Sequence, residues 1–146
     1  MIKTFRGLLA DGAQDRIRLK TNKGNIGYRI VKFQGLEASA NTNTESTMKI
    51  HKIKQTSIVD EIDFTDGDLL AAMVIIGVTS GAPEHQIVIF DSEIFNQDIY
   101  ISVKGADYSA SVNYYIELEQ VKLNENESTM ATLQSIRDVA ETRSFT

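Results

Sequence analysis

The sequence predicts a mainly β protein, an antiparallel β-sandwich of the jelly-roll type with one amphipathic α-helix at its C-terminal end. Short segments of alternating polar and apolar residues recur along residues 1–123, and turn signals separate them. Beyond that point the apolar residues recur every three to four positions instead. No strand–helix alternation is present. We therefore expect one β-sandwich domain over residues 1–123, and a helix with its tail over residues 124–146.

The composition is that of an ordinary globular chain. Its 146 residues are 42% hydrophobic and 24% charged, which suits one domain with a single core. Cysteine is absent, and this excludes disulfides, thiolate nucleophiles and cysteine-bound metals. The apolar run at residues 69–77 is too short to span a membrane, and the first residues carry no signal peptide. We expect a soluble protein without membrane partners.

Charge is distributed unevenly along the chain. Residues 1–56 hold eleven of the 15 Lys and Arg residues but only four of the 20 Asp and Glu residues. A sandwich that interleaves both halves would pair these charges across strands. Alternatively, one face is positive and another negative, which suits head-to-tail packing of copies. A nucleic-acid partner is not expected, because the net charge is −5 and no aromatic pair is interleaved with the bases.

Eight segments have the patterns of β-strands. They cover residues 2–10, 16–20, 26–33, 48–51, 69–79, 86–90, 98–104 and 110–123. The turn Asp11-Gly12 predicts that the first two strands form a hairpin. The hydroxyl-rich segment Glu37 to Thr47 predicts a surface loop or arm. Changes of alternation predict a bulge or strand end near His51 and a bend at Glu119 and Gln120.

The last segment predicts a helix that begins at Asn124, because Glu127 follows three residues later in the pattern of a reciprocal cap. Its apolar residues form only a narrow stripe, and such a helix is marginally stable alone in water. The helix must therefore pack on its own sandwich or on a neighbouring subunit. Both alternatives stay open here. Aromatic and apolar residues that could anchor an interface are Tyr108, Tyr115, Met130, Leu133, Ile136 and Phe145.

Motifs for catalysis are not found. The two histidines, His51 among lysines and His85 in a turn, are predicted to be surface residues. No nucleophile elbow or phosphate-binding glycine loop is present, and we expect neither an enzyme nor a cofactor. The acidic segment with Asp63, Asp66 and Asp68 has enough oxygen ligands for Ca²⁺, although a solvated turn is the simpler interpretation.

Three segments carry a resemblance to a known group of proteins. They are QTSIVDEIDFTDGDLLAAMVIIG, IFNQDIYISVKG and SVNYYIELEQVKL. With them the chain resembles small structural virion proteins, of the capsid decoration or cement kind, from marine bacteriophages. This resemblance implies a non-enzymatic homo-oligomer that assembles on a capsid or tail after synthesis in the host cytoplasm. Other virion proteins, such as the major capsid protein, would be its partners.

A second interpretation comes from a different functional class. A β-sandwich whose loops carry Tyr108, Asp63 and Asp66 would suit a carbohydrate-binding or receptor-binding module, with Ca²⁺ as an optional ligand. If the chain is instead a virion structural protein, its contact elements are the edge strands, the arm and the helix.

Overall fold

The computed structural model describes residues 1–38, 45–76, 85–105 and 111–144. The described elements are β1 (Ile2–Leu9), β2 (Gln14–Ile17), β3 (Ile26–Glu37), β4 (Glu45–His51), β5 (Leu69–Ile76), β6 (His85–Phe90), β7 (Ile99–Gly105), β8 (Val112–Lys122) and α1 (Glu125–Ser144). The predicted mainly β class with one C-terminal helix is confirmed.

The strands form two antiparallel sheets. The three-stranded sheet has the order β1-β8-β3, and the five-stranded sheet has the order β2-β7-β4-β5-β6. The predicted hairpin of the first two strands is wrong, because β1 pairs with β8 and β2 pairs with β7. The turn between them moves the chain from one sheet to the other. Gly12 adopts a φ of 78° there, and its N–H donates to the carbonyl of Val103 at 2.9 Å.

A hydrophobic core of described residues lies between the two sheets. Alternate residues of β8 point into it, and residues of β4, β5 and β7 face them from the five-stranded sheet. The fully buried aliphatic side chains of this core are Met48, Ile50, Met73, Ile75, Ile99, Ile101, Val103, Val112, Ile116 and Leu118. The fold is therefore sandwich-like, as the alternation predicts.

Register irregularities lie partly where the sequence places them. The pairing of β4 with β5 shifts between Ile50 and His51, which confirms the predicted bulge. The predicted bend at Glu119 and Gln120 is wrong, because β8 runs through these residues in continuous register with β3. The shift lies in β3 instead, where Val31 is the additional residue.

Charged residues of the two halves of the chain pair with one another. Arg16 contacts Asp98, Arg29 contacts Glu119 at 2.6 Å, and Lys52 contacts Glu93 at 2.6 Å. In each pair the base precedes residue 57 and the acid follows it. These contacts favour the interleaved arrangement of charge over two oppositely charged faces.

Part of the predicted arm belongs to strands. Glu37 ends β3, while Ser46 and Thr47 are buried in β4, so the prediction of a surface loop is wrong for these residues. Residues 39–44 lie outside the described part of the chain, as do Tyr108 and Phe145. None of the helices in the described ranges is both long and apolar enough to cross a membrane.

Candidate functional site

The terminal helix begins with the predicted reciprocal cap. The Asn124 Oδ1 atom accepts a hydrogen bond from the backbone N–H of Glu127 at 2.8 Å. In return the N–H of Asn124 donates to Glu127 Oε1 at 3.4 Å. Glu125 adds a second acidic group to the first turn, where it opposes the positive end of the helix dipole. The start of α1 is therefore determined locally.

Small polar residues attach this helix to its own sandwich. Asn96 is fully buried, and its Nδ2 donates to Thr132 Oγ1 at 2.9 Å and to the carbonyls of Gly24 and Ser128 at 3.0 and 3.3 Å. Ser135, one turn beyond Thr132, is also buried. In the part of α1 whose side chains are described, residues 125–137, hydrogen bonds from Asn96 to Ser128 and Thr132 therefore hold the inner side.

Three apolar residues of the helix are largely exposed. Met130, Leu133 and Ile136 are 70%, 58% and 60% exposed. The sequence left open whether the apolar residues of the helix pack on the sandwich of the same chain or on a neighbouring subunit. At these three positions, the sandwich of the same chain leaves most of each side chain uncovered. They form an apolar surface, here called the helix stripe.

A second exposed apolar surface lies at the edge of the five-stranded sheet. Ile87 and Ile89 of the edge strand β6 point outward and are 60% and 52% exposed. Phe64 stands nearby and is 68% exposed, lining a small depression of about 240 Å³ together with Ile89. An apolar edge strand is a surface on which other chains pack.

The outer face of the three-stranded sheet carries Tyr115. As the alternation predicts, this residue lies on the opposite side of β8 from the buried residues. Its hydroxyl donates to Glu117 at 2.8 Å, and Lys32 Nζ lies 5.6 Å from the ring centroid. Arg6 and Gln34 flank it on the neighbouring strands. Tyr115, Arg6 and Gln34 line part of a cleft of about 750 Å³.

His51 is buried, and the prediction of a surface position is wrong. The residue points to the outer face of the five-stranded sheet but is only 3% exposed. Residues 52–68, which connect β4 to β5, cover this face. Lys49 Nζ donates to the carbonyl of Glu61 at 2.8 Å, and the N–H of Lys52 donates to the carbonyl of Asp68 at 2.8 Å.

Two of the three predicted calcium ligands meet at this histidine. One ligand atom from each of His51, Asp66 and Asp68 lies within 4.8 Å of the others. Asp63 lies outside this cluster, and its Oδ1 accepts bonds from the backbone N–H and the hydroxyl of Thr65 at 2.9 and 2.6 Å. Those bonds close a local turn.

Burial sets the protonation of this cluster. It lowers the pKa of His51 to about 4, so the imidazole is neutral at neutral pH. Burial, together with the neighbouring Asp66, raises the pKa of Asp68 to about 7. Two buried atoms, His51 Nδ1 and Asp68 Oδ1, have no hydrogen-bond partner. Such groups are costly in a folded protein, and this cluster is therefore a candidate site.

Comparison with models of known protein families gave no match, and comparison with curated proteins gave no significant match. Only the structural class is defined, and it comes from the architecture: the chain is a two-sheet antiparallel β protein with a C-terminal helix.

Proposed function

We propose that the chain is a non-enzymatic structural subunit that forms oligomers through its terminal helix and decorates or stabilises a phage capsid or tail. The observation that carries the assembly part is the outward orientation of the helix stripe. Met130, Leu133 and Ile136 are each more than half exposed, whereas Thr132 bonds with Asn96 and Ser135 is buried. The proposal that assembly takes place on a phage particle depends on the resemblance of the sequence to small structural virion proteins.

A second copy of the chain is the occupant that fits the helix stripe. In a two-fold dimer the same patch meets itself, so two apolar stripes are buried together. Every copy also offers the apolar edge of β6 as a further contact surface.

Strand pairing supports a jelly-roll variant as the finer description of the fold. A jelly roll is a long hairpin wrapped on itself, in which the first strand pairs with the last, the second with the last but one, and so on inward. The ladders β1·β8, β2·β7 and β4·β5 follow this rule. Instead of a β3·β6 ladder, Gln86 Nε2 donates to the carbonyl of Gly35 in β3 at 2.7 Å.

This topology is typical of both functional classes considered. Jelly rolls occur in viral capsid proteins and in lectins, so the fold alone does not choose between them. The exposed helix stripe favours the capsid class, because an exposed apolar surface is typical of a protein that packs against other chains and not of a monomeric binding module.

Replacement of the helix stripe is expected to separate the copies. In the triple variant Met130→Gln, Leu133→Gln and Ile136→Gln, self-association should weaken at least about a hundredfold, since each buried side chain of this kind contributes about 1.5–3 kcal/mol. The free energy of unfolding of the monomer should change by less than about 1 kcal/mol, because the residues are exposed there. Light scattering after size-exclusion chromatography measures the mass.

The matched control is the double variant Leu8→Gln and Leu36→Gln. Both leucines are similarly exposed, at 57% and 62%, but lie on the three-stranded sheet. This variant should keep the wild-type mass. If the triple variant also kept it, the assembly role of the helix would be refuted.

Binding to particles tests the viral part of the proposal. The purified protein should co-sediment with phage particles or with shells of the major capsid protein, up to a fixed number of copies per shell. Binding without saturation, or none, would argue against decoration of a capsid.

The cleft around Tyr115 favours the second candidate function, a carbohydrate-binding module. An aromatic ring between Arg6, Gln34 and Asn113 offers a stacking surface with hydrogen-bonding groups around it. In that case Tyr115→Ala should weaken oligosaccharide binding at least about tenfold in calorimetry, with Thr4→Ala on the same sheet face as the control. No heat of binding across a panel of oligosaccharides would remove this candidate.

A further inference from the structure

We propose that His51, Asp66 and Asp68 form a binding site for one divalent transition-metal ion, with Zn²⁺ as the probe, that fastens the connection between β4 and β5 to the five-stranded sheet. This inference is independent of the proposed assembly function. It starts from the placement of three potential ligands that are distant in sequence.

Strand pairing brings these residues together. His51 is the last residue of β4, and it lies opposite Leu69, the first residue of β5. The backbone bond from Lys52 N–H to the Asp68 carbonyl continues this ladder by one step. Asp68 is thereby fixed beside His51, and Asp66 follows because its Oδ1 accepts the N–H of Asp68 at 3.2 Å.

The distances are close to those of a metal site. His51 Nε2 lies 3.7 Å from Asp66 Oδ2, and the three ligand atoms lie within 4.8 Å of one another. Ligand atoms around a tetrahedral Zn²⁺ are about 3.3 Å apart, given bonds of about 2.0 Å. An inward movement of about 1 Å is thus required. Asp66, which lies in the connection outside both strands, is placed to make it.

Buried atoms without partners are the second, independent observation. Asp68 is fully buried, and its Oδ1 accepts no hydrogen bond, although Oδ2 accepts one from Gln55 at 3.2 Å. The side chain of His51 is 4% exposed, and Nε2, not the unpartnered Nδ1, is the nitrogen that lies toward Asp66. A bound cation would satisfy a carboxylate oxygen that the protein itself leaves unpaired.

The local charge attracts a cation despite a nearby lysine. Lys49 is the buried base beside the cluster, and its ammonium is held by the carbonyl of Glu61 at 2.8 Å. Four acidic side chains act on this one ammonium, namely Asp60, Glu61, Asp66 and Asp68. Acidic side chains therefore outnumber the lysine that they surround, which favours a divalent cation.

The ligand types select the kind of metal. An imidazole nitrogen with two carboxylates suits Zn²⁺ and similar first-row ions, whereas Ca²⁺ and Mg²⁺ take oxygen ligands only. A small cavity of about 160 Å³, lined by His51, Asp66 and Gln55, adjoins the cluster and leaves room for water as a further ligand. A structural role follows, because the ligands join a strand to the connection that covers it.

Thermal unfolding and calorimetry of the metal-free protein test the site. With ZnCl2 in about hundredfold excess over the dissociation constant, the Tm of the wild type should rise by about 5–10 °C, with one ion bound per chain. CaCl2 and MgCl2 at the same concentration should change it little. The variants Asp68→Asn and His51→Gln should each lose the zinc-dependent rise.

Two control variants separate this site from other zinc contacts. Asp91→Asn alters an exposed acid directly after β6 that lies outside the cluster and its cavity, and His85→Gln removes the other histidine; both should keep the full rise. Asp68→Asn is similar in shape to the wild type and keeps the test valid if His51→Gln fails to fold. No rise in the wild type, an equal rise in Asp68→Asn, or a larger rise with Ca²⁺ would each overturn the proposal.

Discussion

Replacement of Asp98 by Asn is expected to lower the free energy of unfolding by about 2–4 kcal/mol. The Asp98 carboxylate joins two parts of the chain. Its Oδ1 accepts the backbone N–H groups of Leu19 and Lys20, each at 2.8 Å, and its Oδ2 accepts Arg16 Nε at 2.8 Å. The amide of asparagine carries no negative charge, and its NH2 group would face either the Arg16 guanidinium or the backbone N–H groups, which are also donors. Urea unfolding at neutral pH measures the loss.

Glu119→Gln is the matched control for this change. Arg29 contacts Glu119 with the same two guanidinium nitrogens, Nε at 2.8 Å and Nη2 at 2.6 Å, but the two side chains are 44% and 34% exposed. Exposed pairs of this kind contribute less than about 1 kcal/mol. Equal losses in the two variants would show that the buried backbone bonds of Asp98 do not matter.

Acid should remove the contribution of Asp98 as well. Burial opposes its ionisation, but the N–H groups of Lys20 and Leu19 and the Arg16 guanidinium outweigh burial and lower the pKa of the carboxyl. Since the folded pKa lies below the unfolded one, the stabilisation is complete above the unfolded pKa and disappears as pH falls through the folded pKa. Between pH about 5 and about 2, the wild type should therefore lose more stability than Asp98→Asn.

Asn96→Asp is expected to release the terminal helix from the sandwich. The Asn96 Nδ2 group donates toward three oxygen acceptors, on Gly24, Ser128 and Thr132. A carboxylate of the same shape has no proton to donate and brings negative charge to these oxygens, at a cost of about 2–4 kcal/mol. Hydrogen exchange followed by mass spectrometry should show faster exchange in residues 128–137.

The control for this prediction is Asn113→Asp, the same change at a half-buried position of β8. Exchange in the helix should remain slow there. If Asn96→Asp also left the exchange of α1 unchanged, Asn96 would not be the residue that holds the helix.

Local signals predicted the elements well. The alternation of Val112, Tyr114, Ile116 and Leu118 identifies the buried face of β8, and Asn124 identifies the helix start, because both features depend on neighbouring residues. The pairing of β1 with β8 could not be predicted in this way. Its partners are more than 100 residues apart, and the turn after β1 resembles that of an ordinary hairpin.

The candidate sites likewise combine features that local sequence patterns predict with features that depend on distant residues. Alternation placed His51 correctly on the outer side of β4, but it carries no information about the connection that covers this side. The cluster with Asp66 and Asp68 appears only when β4 pairs with β5. For the helix, periodicity identified the apolar stripe. The side that faces the sandwich carries Thr132, which accepts a hydrogen bond from the distant residue Asn96.

The mass of the wild-type protein in solution, followed by sedimentation velocity over a wide range of concentrations, tests the assembly account most directly. We expect species at whole multiples of the chain mass of 16.3 kDa, with a share that rises with concentration. A single species of 16.3 kDa at every concentration would contradict it.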